Sequence, residues 1–348
     1  MAYTTIDNPG LFFNTVLYTG SGNAQTISGV GFQPDWLWQK SRSASQDPRS
    51  FDAVRGGSKL IYPSLNNAQA TDAQLITSFN ADGFTMGTSG SNANDSSVTY
   101  AAWNWKANGQ GSSNTDGSIN TTYTSANTTS GFSISMYEGT GSNATVGHGL
   151  GAVPKVVLVK GLDVTSQWYM YNAGAGANKV GLLDNSSAFA TDTVSWQNTT
   201  PTSSVFSIGN DGGTNSSGNT MIAYCFAEKK GYSKFGSFVG NGEPAGDAPF
   251  IYTGFKPAFL IIKSSTYAES WIMTDNKRLG YNGSAANFRA DTSNAEITDS
   301  GVNPDLLSNG FSLQNNDNSY NKNGQSYIYW AFAESPFVTS TGVPSTAG

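Results

Sequence analysis

Charge is scarce in this chain, and so are the residues that most chemistry depends on. Charged side chains make up 12% of 348 residues, about half the usual share, with one histidine and one cysteine. A lone cysteine, Cys225, cannot form an internal disulfide, and within an aromatic strand it reads as a small packed hydrophobe. A lone histidine, His148 in "VGHGLG", leaves no second imidazole, and no G-x-S-x-G elbow accompanies it. A turn histidine is therefore the expectation, and a Ser–His triad is not. A protein zinc site, which needs several Cys or His ligands, is excluded. The net charge of −6 and the scattered Lys and Arg lack the basic stripe that phosphate backbones require, so nucleic acid is excluded as a partner. The apolar runs "VVLV" and "FLII" are far too short for a spanning helix, so no membrane insertion is expected. The start "MAYTTIDNPG" has neither the basic nor the apolar region of a secretory signal.

What the chain has instead is repetition. "GFQPDWLWQK" (Gly31–Lys40), "GLGAVPKVVLVK" (Gly149–Lys160) and "TGFKPAFLIIK" (Thr253–Lys263) share the order glycine, proline, apolar run, lysine. Each is followed by an aromatic–alanine strand: "YAAWNW", "IAYCFA" and "YIYWAFA". Pro34 to Trp105, Pro154 to Phe226 and Pro257 to Phe332 span 71, 72 and 75 residues. Three copies matched at both ends make a tandem array. The expected division is residues 1–107, a Gly/Ser/Asn/Thr-rich linker at 108–130 that reads as either flexible or an extended bridging segment, then 131–231, 232–338 and a polar tail at 339–348. Each copy is long enough to bury a core of its own.

Short, almost continuously apolar strands suit burial between two layers, and the prolines mark strand starts. "DGF" and "NGF" (Asp82–Phe84, Asn309–Phe311) read as hairpin turns. Convincing helical periodicity is missing; Asn66–Phe79 is the one segment where a short helix or a loop crossover fits. The fold class expected is all-β, with three tandem jelly-roll-like (lectin/LamG-like) antiparallel β-sandwich domains.

Candidate sites are few. Glu138, Glu228, Glu243, Glu269, Glu296 and Glu334 could supply a carboxylate pair, but no spacing picks one out. The chain is therefore expected not to be an enzyme, with a carboxylate-based glycosidase or depolymerase as the catalytic alternative. The Asn-rich loops Asn210–Asn219 and Asn315–Gly324 are oxygen-rich without the EF-hand spacing. Ca2+ is the one ion they leave open, and no cofactor is expected. Asp52/Arg55 and Asp275/Arg278 recur three apart and are expected to pin a turn, a pair the middle copy lacks. Seven tryptophans are expected in the core. Trp196, in "DTVSWQNTTP", is expected at the surface and is the one candidate ligand contact.

The opening "MAYTTIDNP…FNTVLYTGSG…GVGFQPDWLWQKSRSAS…FDAVRG", the "DGF" hairpin and the ending "YWAFAESPFV" resemble a repeat family of uncharacterised virion proteins from tailed phages of marine bacteria, cyanophages included. The resemblance covers the whole chain and is strongest in the first and third repeats. It implies a structural role on the virion: a tail fibre or adhesin that contacts the host surface and its glycans, or a capsid head-decoration protein. It implies other virion proteins as partners, a homo-oligomer such as a trimer, and no catalytic residues.

Overall fold

The computed structural model describes residues 2–278, 282, 286–298 and 304–344; the end of the polar tail, 345–348, lies outside the described residues. The chain is all-β and antiparallel. Among the described residues, the only helices are a 3-10 turn at Pro9–Leu11 and single α-turns at Gly212–Asn215 and Asn318–Asn321.

The repeated apolar strand and the repeated aromatic strand lie side by side in three main sheets. Trp36 pairs with Trp105, Val156 with Phe226 and Phe259 with Phe332. The first main sheet runs Phe13–Thr19, Thr99–Trp105, Trp36–Ser41, Arg49–Asp52. The second extends to seven strands, Tyr123–Asn127 to Ala190–Thr191, and the third has five, Ser233–Val239 to Phe288–Arg289. A smaller sheet covers one face of each: Gln25–Ser28, Gly83–Met86 and Ile76–Asn80; Ala144–Gly147 and Val205–Ile208; Phe250–Tyr252, Gly310–Ser312 and Asp305–Leu307. The Asp82–Gly83 turn forms as its sequence predicts. Gly83 has φ +147°, and a Cβ there would meet the Ile27 carbonyl oxygen at 1.9 Å.

Strand alternation gives every main sheet two buried faces. One face packs under its own small sheet, as Leu37, Phe51, Phe84 and Tyr100 do in the first repeat. The other turns inward to a core shared by all three repeats. There Trp36 lies 4.7 Å from Tyr224, Phe226 5.6 Å from Trp330, and Phe13 5.1 Å from Phe332 between ring centroids. All eight tryptophans are at most 1% exposed. Burying a large apolar side chain contributes roughly 1.5–3 kcal/mol, so the shared core is a major part of what holds the fold together.

Three local expectations give way. Asn66–Phe79 contains no helix; it forms the short strands Ala70–Thr71 and Ile76–Asn80, because a hairpin partner, Gly83–Met86, satisfies its backbone. Of the two readings of 108–130, the segment is the extended bridge and not a flexible linker. The Asp35 carboxylate accepts from the Ala107 and Gly109 amides at 2.7 and 3.1 Å, Ile119 bridges to Val146, and Tyr123–Asn127 adds an edge strand to the second main sheet. Pro257 sits inside the strand Phe255–Ser264, not at its start, where the register shifts and no amide is needed.

Candidate functional site

The lysine that closes each repeated segment explains how the repeats are joined. Lys40, Lys160 and Lys263 are at most 1% exposed. Each ammonium donates across a seam to a backbone carbonyl of another repeat: Lys40 to Thr292 at 2.5 Å, Lys160 to Asn66 at 3.3 Å and Lys263 to Ser186 at 3.3 Å. The first repeat thus grips the third, the second grips the first, and the third grips the second. Backbone hydrogen bonds cross the same seams in the opposite sense, each repeat donating to the next: Gln69 N–H to Leu162 O at 2.7 Å, Phe189 N–H to Ser265 O at 3.0 Å and Glu296 N–H to Arg42 O at 3.0 Å, with Ser166 N–H to Asn66 O at 2.9 Å as a further bond at the first seam. The chain is a closed ring of three with pseudo-threefold order. The lysine signal was legible in the sequence, since a charge ending a buried strand needs a partner, but the partner's identity was not.

Burial pushes all three lysines down from 10.5 to about 8, partly opposed by nearby aspartates. Between about pH 8 and the ordinary lysine value, the unfolded chain holds protons that the folded chain has released, so stability rises with pH. Above roughly pH 10 the trend reverses. There the buried Tyr18, Tyr137 and Tyr224, raised by burial, resist an ionisation that the unfolded chain undergoes freely. The thermal midpoint is therefore expected to climb from about pH 8 toward about pH 10 and then fall. In Lys160→Met the climb should be shallower; an unchanged pH profile would remove the lysines from this role.

Behind the lysines lie the Asp/Arg pairs. Asp52–Arg55 (2.6 Å) and Asp275–Arg278 (2.8 Å) are buried ion pairs. Each pins its turn as expected, with the Arg backbone N–H donating to the Asp Oδ1. They also reach across a seam, which the sequence did not reveal. Tyr224 of the second repeat donates its hydroxyl to Asp52 at 2.7 Å, and Trp103 of the first donates its indole N–H to Asp275 at 3.0 Å. At the third seam Arg278 also lies 3.6 Å from Glu296, which pairs with Arg42 at 2.5 Å.

The seam between the second and third repeats differs. Strand register puts Asn172 where the others have Asp52 and Asp275. Ala175, three residues on, stands in the place of Arg55 and Arg278, and Trp330 in the place of Tyr224. The Asn172 Nδ2 and Trp330 Nε1 donors, both buried, have no hydrogen-bond partner among the described residues. A cleft of about 360 Å³ opens here, lined by Gly174, Ala175, Lys179, Phe189, Ser265 and Ser326, among others. The corresponding cleft at the first seam is about 250 Å³ and is lined by Arg55, Gln69 and Asp163 among others. None of the four clefts characterised among the described residues is lined by more than one carboxylate.

Trp196 is not at the surface. It is 1% exposed, in the outer core of the second repeat, with its ring 6.1 Å from Tyr171. The second small sheet has only two strands, and Trp196 plugs the space that Ile76 and its strand fill in the first repeat. Buried there, it is no platform for a ligand. Aligning the repeats would have exposed this, because Ile76 and Trp196 each follow a matched aspartate, Asp72 or Asp192, whose amide donates to Ser58 O or Asn178 O, by the same interval. His148 is a turn histidine: its Nδ1 accepts from Leu150 N–H, its Nε2 faces Thr202 O at 3.2 Å, and burial lowers its pKa so that it stays neutral.

Among the glutamates, Glu296 is held by Arg42, while Glu334 pairs with Lys256 at 3.4 Å and accepts from Asn276. The Asn-rich loops are organised by amides. Asn94, Asn215 and Asn321, all fully buried, each accept one loop amide and donate to two loop carbonyls. Each stands nine residues before Trp103, Tyr224 or Trp330, a spacing visible in the sequence but hidden by the abundance of Asn. No group of three His, Cys, Asp or Glu able to hold a metal occurs among the described residues.

No curated protein and no solved structure matches this chain. A family model described as a domain of unknown function, DUF7483, matches residues 8–336 and so runs through all three repeats. A ring closed by latches at every seam and matched by one model over nearly its whole length belongs to the DUF7483 family.

Proposed function

We propose that the chain is a non-enzymatic structural protein on the surface of a virus particle, an adhesin of tail-fibre type that contacts host-surface glycans. The observation that carries this reading is how the interior charges are used. Lys40, Lys160, Lys263 and the two Asp/Arg pairs hold seams or turns, and none of the four clefts described above, among the described residues, is lined by two carboxylates. That use of the interior charges supports a structural role. The resemblance of its repeats to virion proteins of tailed phages supplies the setting.

A second reading, capsid decoration, is favoured by the pseudo-threefold order, because three similar faces can seat on a partner with threefold symmetry. Purified particles examined by mass spectrometry should contain the chain, and labelled imaging should place it on the tail. Capsid labelling would select decoration, and absence from the particle would end both readings.

A further inference from the structure

One chain has built the same pair of loops three times, so each copy serves as a control for the others. The loop after each lysine-ending strand approaches the loop that carries Asn94, Asn215 or Asn321. In the first repeat the two are tied, as Gln46 donates its side-chain amide to the Asp95 carboxylate at 2.6 Å. In the third they are tied by Lys322, whose ammonium lies 3.3 Å from the centre of the Tyr267 ring. The second repeat lacks all of these groups. Ser166, six residues before Asn172, stands where Gln46 stands before Asp52. Ser216 follows Asn215 as Asp95 and Lys322 follow their asparagines, and Val164 takes the place of Tyr267.

The shorter side chains leave a cleft of about 440 Å³, within the roughly 300–1,000 Å³ of small-molecule sites. It crosses the seam to Asn66 of the first repeat. The backbone of Asn66 is fixed, because its carbonyl accepts from the Ser166 amide at 2.9 Å and from the Lys160 ammonium at 3.3 Å. Its carboxamide is left over. The side chains of Asn66, Thr165 and Gln167, all on the wall, have no hydrogen-bond partner among the described residues. Two carboxamides and a hydroxyl can each donate and accept. The half-buried Tyr169 ring completes the wall, seated on Gly213, where a Cβ would overlap it. No charged side chain lines the cleft. After burial, the nearby carboxylates of Asp211, Asp192 and Asp184 push the Tyr169 hydroxyl up, and the same field disfavours an anion. Groups that both donate and accept match neighbouring hydroxyls, and an aromatic ring matches the C–H face of a pyranose.

We propose that the cleft between loops 163–167 and 211–217 of the second repeat, walled by Asn66 of the first, binds one neutral hexopyranose unit. Its hydroxyls lie toward Asn66 and Gln167 and its ring against Tyr169. The inference rests on the reading of the chain as a glycan-contacting protein and names the class of sugar. Its test uses the purified chain alone, so loss of the virion assignment and loss of this site would be told apart.

The full-length chain is mixed with the methyl glycosides of glucose, galactose and mannose and, at matched ionic strength, with sodium methyl glucuronide. Binding is read by saturation-transfer NMR. At least one neutral glycoside should give a saturable signal, and the glucuronide should bind more weakly. Ser166→Gln combined with Ser216→Asp rebuilds the tie of the first repeat across the cleft and should abolish the signal. Asn66→Ala keeps the backbone carbonyl that the latch uses and should weaken binding roughly three- to tenfold with the fold intact. It keeps the test decisive if the double variant does not fold. Silence from all three neutral glycosides, or unchanged binding in either folded variant, would overturn the site. A glucuronide that binds as tightly as the neutral glycosides would overturn the neutral selectivity.

Discussion

Asp52→Ala is expected to destabilise the protein by about 3–5 kcal/mol, because it leaves a buried guanidinium without its counter-charge. Arg55 and Asp52 are almost wholly enclosed, and the same substitution removes the acceptor of the Tyr224 hydroxyl from the facing repeat. The loss should appear in chemical denaturation as a lower midpoint without a change in slope. The second repeat supplies the control. Asp52→Asn combined with Arg55→Ala copies the arrangement at Asn172 and Ala175, removing both charges together. Taking out both members of a buried pair costs far less than stranding one, so the double variant should be markedly more stable than Asp52→Ala. If the two are equally unstable, the pair acts through shape and not through charge.

Phe226→Ala should cost about 3–5 kcal/mol, the usual range for emptying a large aromatic site in a core. Its ring meets aromatic side chains from all three repeats: Trp36 and Trp105 from the first, Phe132 from its own, and Phe235, Trp330 and Phe332 from the third. The damage should not stay in the second repeat. Far-UV and near-UV circular dichroism and tryptophan fluorescence should report one coincident transition, in the parent and, shifted down, in the variant. Transitions that separate by probe would mean that each repeat stands on its own outer core and that the ring is a weak association.

Much of the architecture was legible because strands write their environment into a two-residue period. The runs ending in Lys40, Lys160 and Lys263 have apolar residues on both faces, and burial on both faces is what they have. The hairpin glycines and the turn-pinning Asp/Arg pairs were legible for the same local reason. Trp196 was misread because its neighbours are polar, and local polarity carries no information about a missing strand that a large ring must replace. The stretch 108–130 stayed ambiguous for a related reason: Gly, Ser and Thr permit flexibility but do not impose it, and Asp35, far earlier in the chain, ties its start down.

The amino-acid sequence by itself determined that the protein is all-β, that it repeats one unit three times, and that it carries little of the usual catalytic equipment. These are properties of composition, period and spacing, which act over a few residues or are counted along the chain. Only the tertiary structure decided that the inner faces of the three main sheets meet in one core, that the repeated lysines reach across to other repeats, and that the second seam opens where the first and third are charged. Those facts depend on which residue of one repeat stands against which residue of another. Contacts between positions 77 to 252 residues apart are set by the closing of the ring, and no local pattern encodes them.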